Sequence, residues 1–162
     1  MVTEFREELG RAFPATTIDA AGAFDERGGT YPDADEYESQ IAGKTWLQLD
    51  QEYIARRSDA LSFLSTDQLI AVLPAYLDLL LALGPLSPVP ETLLPLLTKP
   101  SSDQSSAGKR FGDLSRRLTE PQRHAVTAAL RRFAADHPRY AEPAQRALES
   151  FWNTIESEGG GR

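Results

Sequence analysis

The chain has 162 residues, 41% of them hydrophobic, with 24 Asp/Glu against 17 Lys/Arg and a formal charge of −7. That length fits one domain with one core, built without metal or disulfide staples. The absence of cysteine excludes disulfides, cysteine nucleophiles, thiolate zinc sites and iron–sulfur clusters.

The acidic excess lies wholly in the first third: residues 1–60 hold 13 Asp/Glu and 6 Lys/Arg, whereas residues 61–162 hold 11 of each. Residues 99–139 are locally basic, with 9 Lys/Arg and 4 Asp/Glu. Nucleic-acid binders carry a basic footprint for phosphate, so an acidic chain argues against that partner. It favours a basic one. Residues Met1–Glu8 lack the basic start and apolar stretch of a secretory leader. With no cysteine besides, the expected location is the cytoplasm.

Val2, Phe5, Leu9, Ala12 and Phe13 recur at helical spacing and predict a first helix over Val2–Phe13, capped by Thr3 and stopped by Pro14. Residues 14–33 read as a long surface loop, broken by Gly22, Gly28, Gly29 and Pro32 and anchored by Ile18, Phe24 and Tyr31. Loops beyond about 12–15 residues are uncommon and often functional, which makes this one a candidate binding element. Asp33–Ala42 follows as a short acidic helix. Its first-turn carboxylates suit the helix dipole, Tyr37 and Ile41 form its buried edge, and Gly43 ends it. Asp50 caps another short helix with Tyr53 and Ile54 facing inward.

Ser65-Thr66-Asp67-Gln68 reads as a capping box opening the longest apolar run in the chain, Leu69–Leu83. Its residues are apolar nearly all round, as expected of a helix in the middle of a bundle, with Pro74 as a kink. The 15-residue run, interrupted by Pro74 and Asp78, falls short of the roughly 20 residues a membrane span needs, so no membrane is expected. After Gly84-Pro85 come a short helix over Pro90–Lys99, a Ser-rich stretch at 100–108 expected to be mobile, and an apolar stripe of Phe111, Leu114 and Leu118. Thr119-Glu120-Pro121-Gln122 is a second capping box, and its helix runs to Pro138 with Val126, Ala129, Leu130 and Phe133 inward. A last helix over Glu142–Glu156 buries Ala144, Ala147, Leu148, Phe151, Trp152 and Ile155, and 159–162 is a frayed tail. The expected fold is all-α: a single domain over 1–158, an irregular bundle of about six helices around a central apolar helix at about 65–83.

Catalytic patterns are weak throughout. Ala42-Gly43-Lys44-Thr45 resembles the end of a phosphate-binding loop, but Glu38 stands where that loop needs a glycine. His124 and His137 are 13 residues apart, not at metal-ligand spacing, so no metal or cofactor is expected. Ser62 and Ser65 have no nucleophile-elbow context. The acids of the first third lie on a loop and a polar helix, where no burial is predicted to raise a pKa for acid–base work. The doublets Arg56-Arg57, Arg116-Arg117 and Arg131-Arg132 read as surface charge that pairs with the acidic third.

Trp46, Ala60-Leu61-Ser62-Phe63-Leu64, Leu73-Pro74-Ala75-Tyr76-Leu77 and Leu118-Thr119-x-x-Gln122-Arg123-x-x-Val126 stand in a recognisable order. Over about residues 5 to 135 the chain resembles an uncharacterised bacterial helical domain family with these motifs. The resemblance implies a small helical domain with no assigned activity, and it carries over no catalytic residue. Its motif residues read as anchors, a cap and a kink proline.

These readings together lead to a non-enzymatic binding protein. The specific expectation is a bacterial immunity-type protein that neutralises a cognate basic toxin domain through Asp25, Glu26, Tyr31, Asp33, Asp35, Glu36 and Glu38. Opposite charge speeds encounter and fixes register in such pairs. The alternative is a structural or regulatory interaction module without a toxin partner.

Overall fold

The acidic first third is tied to the rest of the chain both by its helices and by aromatic anchors. A computed structural model describes residues 2–20, 23–24 and 31–155. Asp25, Glu26 and the tail at 159–162 lie outside the described residues. Helix α1 spans Val2–Ala12 and buries Phe5 and Leu9. The chain then runs irregularly but not loosely. Ile18 exchanges backbone hydrogen bonds with the end of the next helix, its N–H donating to Lys44 O at 2.8 Å and its carbonyl accepting from Gly43 N at 2.9 Å. Ile18, Ala20, Ala23 and Tyr31 are all buried.

Among the described residues there are eight α-helices, not about six, and no strand beyond one isolated antiparallel bridge, Phe24 to Leu64. After α1 they are α2 (Ala34–Ile41), α3 (Gln51–Arg56), α4 (Thr66–Leu83), α5 (Val89–Leu96), α6 (Ser106–Arg117), α7 (Glu120–Asp136) and α8 (Ala141–Ala147). The higher count has a local cause. The Asp50 cap forms as expected, accepting from Tyr53 N at 3.1 Å, but a further cap, Ser105 accepting from Gly108 N at 3.0 Å, makes a full helix of the segment that sequence marks only as an apolar stripe. The second cap starts α6 inside the Ser-rich stretch, two residues before its expected end.

The α4 cap differs from its expected form. Ser65 Oγ accepts from Gln68 N at 3.4 Å, but the Ser65 N–H that Gln68 Oε1 would accept donates instead to Ala23 O at 2.8 Å, while the Gln68 side-chain nitrogen donates to Asp19 O. The Thr119 box is complete, with Gln122 N to Thr119 Oγ1 at 3.3 Å and Thr119 N to Gln122 Oε1 at 3.0 Å. Helix α4 continues through Pro74 without a break. It packs against α1, α3, α5, α6 and α7. The 21-residue stretch Thr66–Leu86 is long and apolar enough to cross a membrane by length and composition. Chain length therefore does not decide its role. Burial does, because ten of the residues of α4 are enclosed by other helices.

Two side chains lock distant parts of the core. Arg110 on α6 donates to Leu61 O at 2.7 Å and Leu64 O at 2.9 Å, and also to Ser62 O, so one guanidinium satisfies the carbonyls of the turn before α4. Helix α8 passes into a π turn, Leu148–Trp152, which adds a residue to one turn. Trp152 is fully buried there and donates from Nε1 to Leu97 O at 2.6 Å.

Candidate functional site

Helix α2 has eight residues, too few to persist alone in water. Its stability comes from the face it buries. Tyr37 and Ile41 are both fully enclosed, and burying Ile41 alone contributes roughly 1.5–3 kcal/mol. The helix ends at Ala42, after which Gly43 takes φ +74, a left-handed conformation that glycine adopts without strain. That turn, and not a phosphate loop, is what the Ala42–Thr45 segment forms.

Beneath α2 lies an aromatic base. Tyr31 stacks between Phe24 (ring centroids 5.4 Å apart) and Phe63 (5.3 Å). Tyr37 meets Phe24 edge-on at 5.8 Å and lies 6.3 Å from Tyr53. The Tyr37 and Tyr76 hydroxyls are 2.9 Å apart, and Tyr76 donates to Ile54 O at 3.0 Å. Tyr31 donates to Asp59 Oδ1 at 3.1 Å. Burial is the main cause that holds the Tyr31, Tyr37 and Tyr76 hydroxyls well above the usual tyrosine pKa, so all three stay protonated donors. Burial also raises the Tyr53 hydroxyl, which has Arg57 beside it but makes no hydrogen bond of normal geometry among the described residues.

The four acids of α2 and its cap do not act as a unit. Arg57 reaches Asp33 Oδ2 at 3.5 Å and Glu36 Oε2 at 3.9 Å, with its guanidinium 5.9 Å above the Tyr53 ring. These side chains are 38–52% exposed, so solvent screens each pair and its contribution to stability is small. Their larger effect is on the field, because one cation offsets two of the carboxylates. Asp35 and Glu38 have no ion pair among the described residues. Asp35 is exposed and Glu38 half-buried.

Tyr31 belongs to the base and not to the surface, being only 4% exposed. The structure thus brings Asp33, Asp35, Glu36 and Glu38 to one short helix, with Tyr31 below them. The expectation that the arginine doublets pair with the acidic third holds for Arg57, whereas Arg117 pairs with Asp67, Nη1 to Oδ1 at 2.5 Å, and Arg132 with Asp136. Asp67 and Asp136 lie outside the acidic third.

Other ionisable groups are dispersed. His124 lies 3.6 Å from Glu120 Oε1 one turn away on α7. His137 closes α7 and packs on Phe133, with ring centroids 5.0 Å apart. Among the described residues no three His, Cys, Asp or Glu side chains gather into a metal-binding group. The group sequence reading passed over is Asp78. It is 4% exposed in the apolar face of α4, with Arg6 Nε at 3.6 Å and the Gln51 amide at 3.5 Å from Oδ2. A lone aspartate in an apolar helical run is itself a visible signal; its partners, 72 and 27 positions away, are not.

No protein-family model, curated protein or solved structure matches the chain.

Proposed function

We propose that this chain is a non-enzymatic binding protein of the bacterial immunity type, which occludes a basic toxin domain with the exposed side of α2. The observation that carries the reading is the pair Asp35 and Glu38, two carboxylates with no ion pair among the described residues, on a helix whose other side is tied into the aromatic base. A charged face on a rigid support loses little entropy on binding and steers an oppositely charged partner. In this reading α4 is the central spine of the bundle, and the Trp46, ALSFL, LPAYL and LTxxQR motifs mark a family of such helical domains.

Co-purification with the product of each adjacent gene tests the proposal. The expected result is a tight, salt-sensitive complex with one of them. Asp35→Lys combined with Glu38→Lys is expected to slow association at least tenfold and leave the circular dichroism spectrum unchanged. No complex with any adjacent product would overturn the toxin reading, and an unchanged association rate would remove α2 from the interface.

A second reading, an interaction module without a toxin partner, is favoured by one observation. Leu86 is 92% exposed and Tyr140 56%, at two corners joined where Gly84 meets His137. A concentration-dependent dimer abolished by Leu86→Ser would support it.

A further inference from the structure

A cleft of about 410 Å³ opens between the α5–α6 connection, α6 and the π turn. That volume lies within the roughly 300–1,000 Å³ of small-molecule sites. Its floor is aromatic and fixed: Phe111 is 5% exposed and meets Phe151 edge-on at 5.3 Å and Trp152 at 6.0 Å. Its rim is cationic. Lys109 and Arg116 are seven residues apart on α6, two helical turns, and so share a face. Gly112 lies between them and lines the cleft, leaving the space between the two cations without a side chain. Lys99 comes from the connection, held in place by its own N–H donating to Ser150 Oγ at 2.9 Å.

Two of these charges are not neutralised among the described residues. Neither Lys99 nor Lys109 forms an ion pair among the described residues. Arg116 shares Asp113 with Arg117, each at 3.7 Å, and Asp113 also accepts from Thr66 Oγ1 at 2.8 Å. Asp103 also lines the cleft. Asp103 and Asp113 stand against Lys99, Lys109, Arg116 and Arg117, two carboxylates against four cations, which leaves a net positive concave surface that focuses the field on an entering anion. Ammonium and guanidinium groups from separate segments suit a compact, multiply charged oxyanion, because several donors reach several oxygens.

We infer that this cleft is a binding site for a small phosphorylated anion, gripped through its phosphoryl oxygens by Lys99, Lys109 and Arg116. The site uses no residue of α2, so it stands or falls independently of the toxin-binding reading. The carboxylate of Asp103 repels such a ligand and limits how tightly it is held.

Calorimetric titration of the full chain with inorganic pyrophosphate at fixed ionic strength tests the inference. The expected result is saturable binding. Its dissociation constant rises at least tenfold in Lys99→Gln/Lys109→Gln, falls several-fold in Asp103→Asn, and is unchanged in Arg139→Gln, which removes an exposed cation outside the cleft. Vesicles containing phosphatidic acid form a second arm: binding to them and not to pyrophosphate, lost in the same double variant, assigns the phosphoryl group to a lipid. No saturable binding to either probe would overturn the inference. Equal losses in Arg139→Gln and the double variant would also overturn it, by showing general charge attraction instead of a site. Circular dichroism of each variant separates loss of binding from loss of fold.

Discussion

Replacing Asp78 with asparagine should stabilise this protein at neutral pH. Asp78 lies within α4 with both of its polar neighbours at long range, Arg6 Nε at 3.6 Å and Gln51 Nε2 at 3.5 Å. Burial raises its carboxyl above the ordinary value of 3.8, and Arg6, 44% exposed, pulls it only part of the way back. A carboxyl raised in this way is held more tightly as the acid by the folded chain than by the unfolded one. Its contribution is therefore fully favourable below pH 3.8, is lost as pH rises through the folded pKa, and leaves a constant penalty above it.

Asparagine keeps the shape and an acceptor for Gln51 and removes the charge. Replacing both partners of a buried ion pair with well-packed apolar groups is often neutral or stabilising, by roughly 1–4 kcal/mol, and here the partner left behind, Arg6, is 44% exposed and stays solvated. The half-exposed Arg6 already offsets part of the cost, which places the gain for Asp78→Asn at about 1 kcal/mol at pH 7. Arg6→Ala should act the other way, costing about 1–2 kcal/mol by leaving the buried carboxylate without its cation. The double variant should recover most of that loss. Urea unfolding followed by the fluorescence of Trp46 and Trp152, both buried, reads these differences from pH 3.5 to 8. The difference between Asp78→Asn and the parent should shrink as the pH approaches 3.8. A variant less stable than the parent at pH 7, or a gain that does not vary with pH, would refute the reasoning.

Gly84 has φ +50 and ψ −135, and a Cβ there would lie 2.6 Å from His137 Nε2. Gly84→Ala should therefore cost about 2–4 kcal/mol, from backbone strain of roughly 1–3 kcal/mol plus displacement of the imidazole. In a double-mutant cycle His137→Ala should recover the second part, and a cost below about 0.5 kcal/mol would show that the corner adapts freely. Tyr76→Phe removes its hydrogen bonds to Tyr37 and Ile54 and strands a buried hydroxyl, for about 1–3 kcal/mol, whereas Tyr37→Phe removes one bond, for about 1 kcal/mol. Chemical denaturation of the two variants should keep that order; the reverse order would place the weight of the network on Tyr37.

The helices legible in the sequence were those whose signals lie within four residues of one another. The 3- and 4-residue spacing of Leu69, Val72, Leu73 and Tyr76 and the Thr119–Gln122 box mark α4 and the start of α7 with no knowledge of neighbours. The sequence misleads where a side chain has a distant competitor. Gln68 is placed to complete a capping box, yet Ala23 O, 42 positions before Ser65 in the chain, takes the Ser65 N–H that the box needs. Arg110 looks like one more basic residue in a basic stretch until the carbonyls of Leu61 and Leu64 come within reach. The candidate site shows the same divide. The acidity of α2 and its buried Tyr37–Ile41 edge can be read locally. The burial of Tyr31 and the offset of Asp33 and Glu36 by Arg57 cannot, because they depend on where residues 57 to 63 pass.

That divide bears on how the acidic third should work in recognition. Read as a string, its carboxylates sum to one diffuse field. On the folded chain Arg57 stands between Asp33 and Glu36, and Asp35 and Glu38, which form no ion pair among the described residues, are the two that face the partner in the proposed complex. Two charges at fixed positions constrain the orientation of an approaching basic surface more narrowly than a diffuse cluster does, because attraction is largest only when both are matched. The packing below serves the same end. Tyr37 joins α2 to α4 through Tyr76, and Tyr31 joins the preceding segment to Asp59, so the helix cannot tilt without breaking buried hydrogen bonds or aromatic contacts. A helix too short to be stable alone is thereby fixed by the core, and its charges are fixed with it.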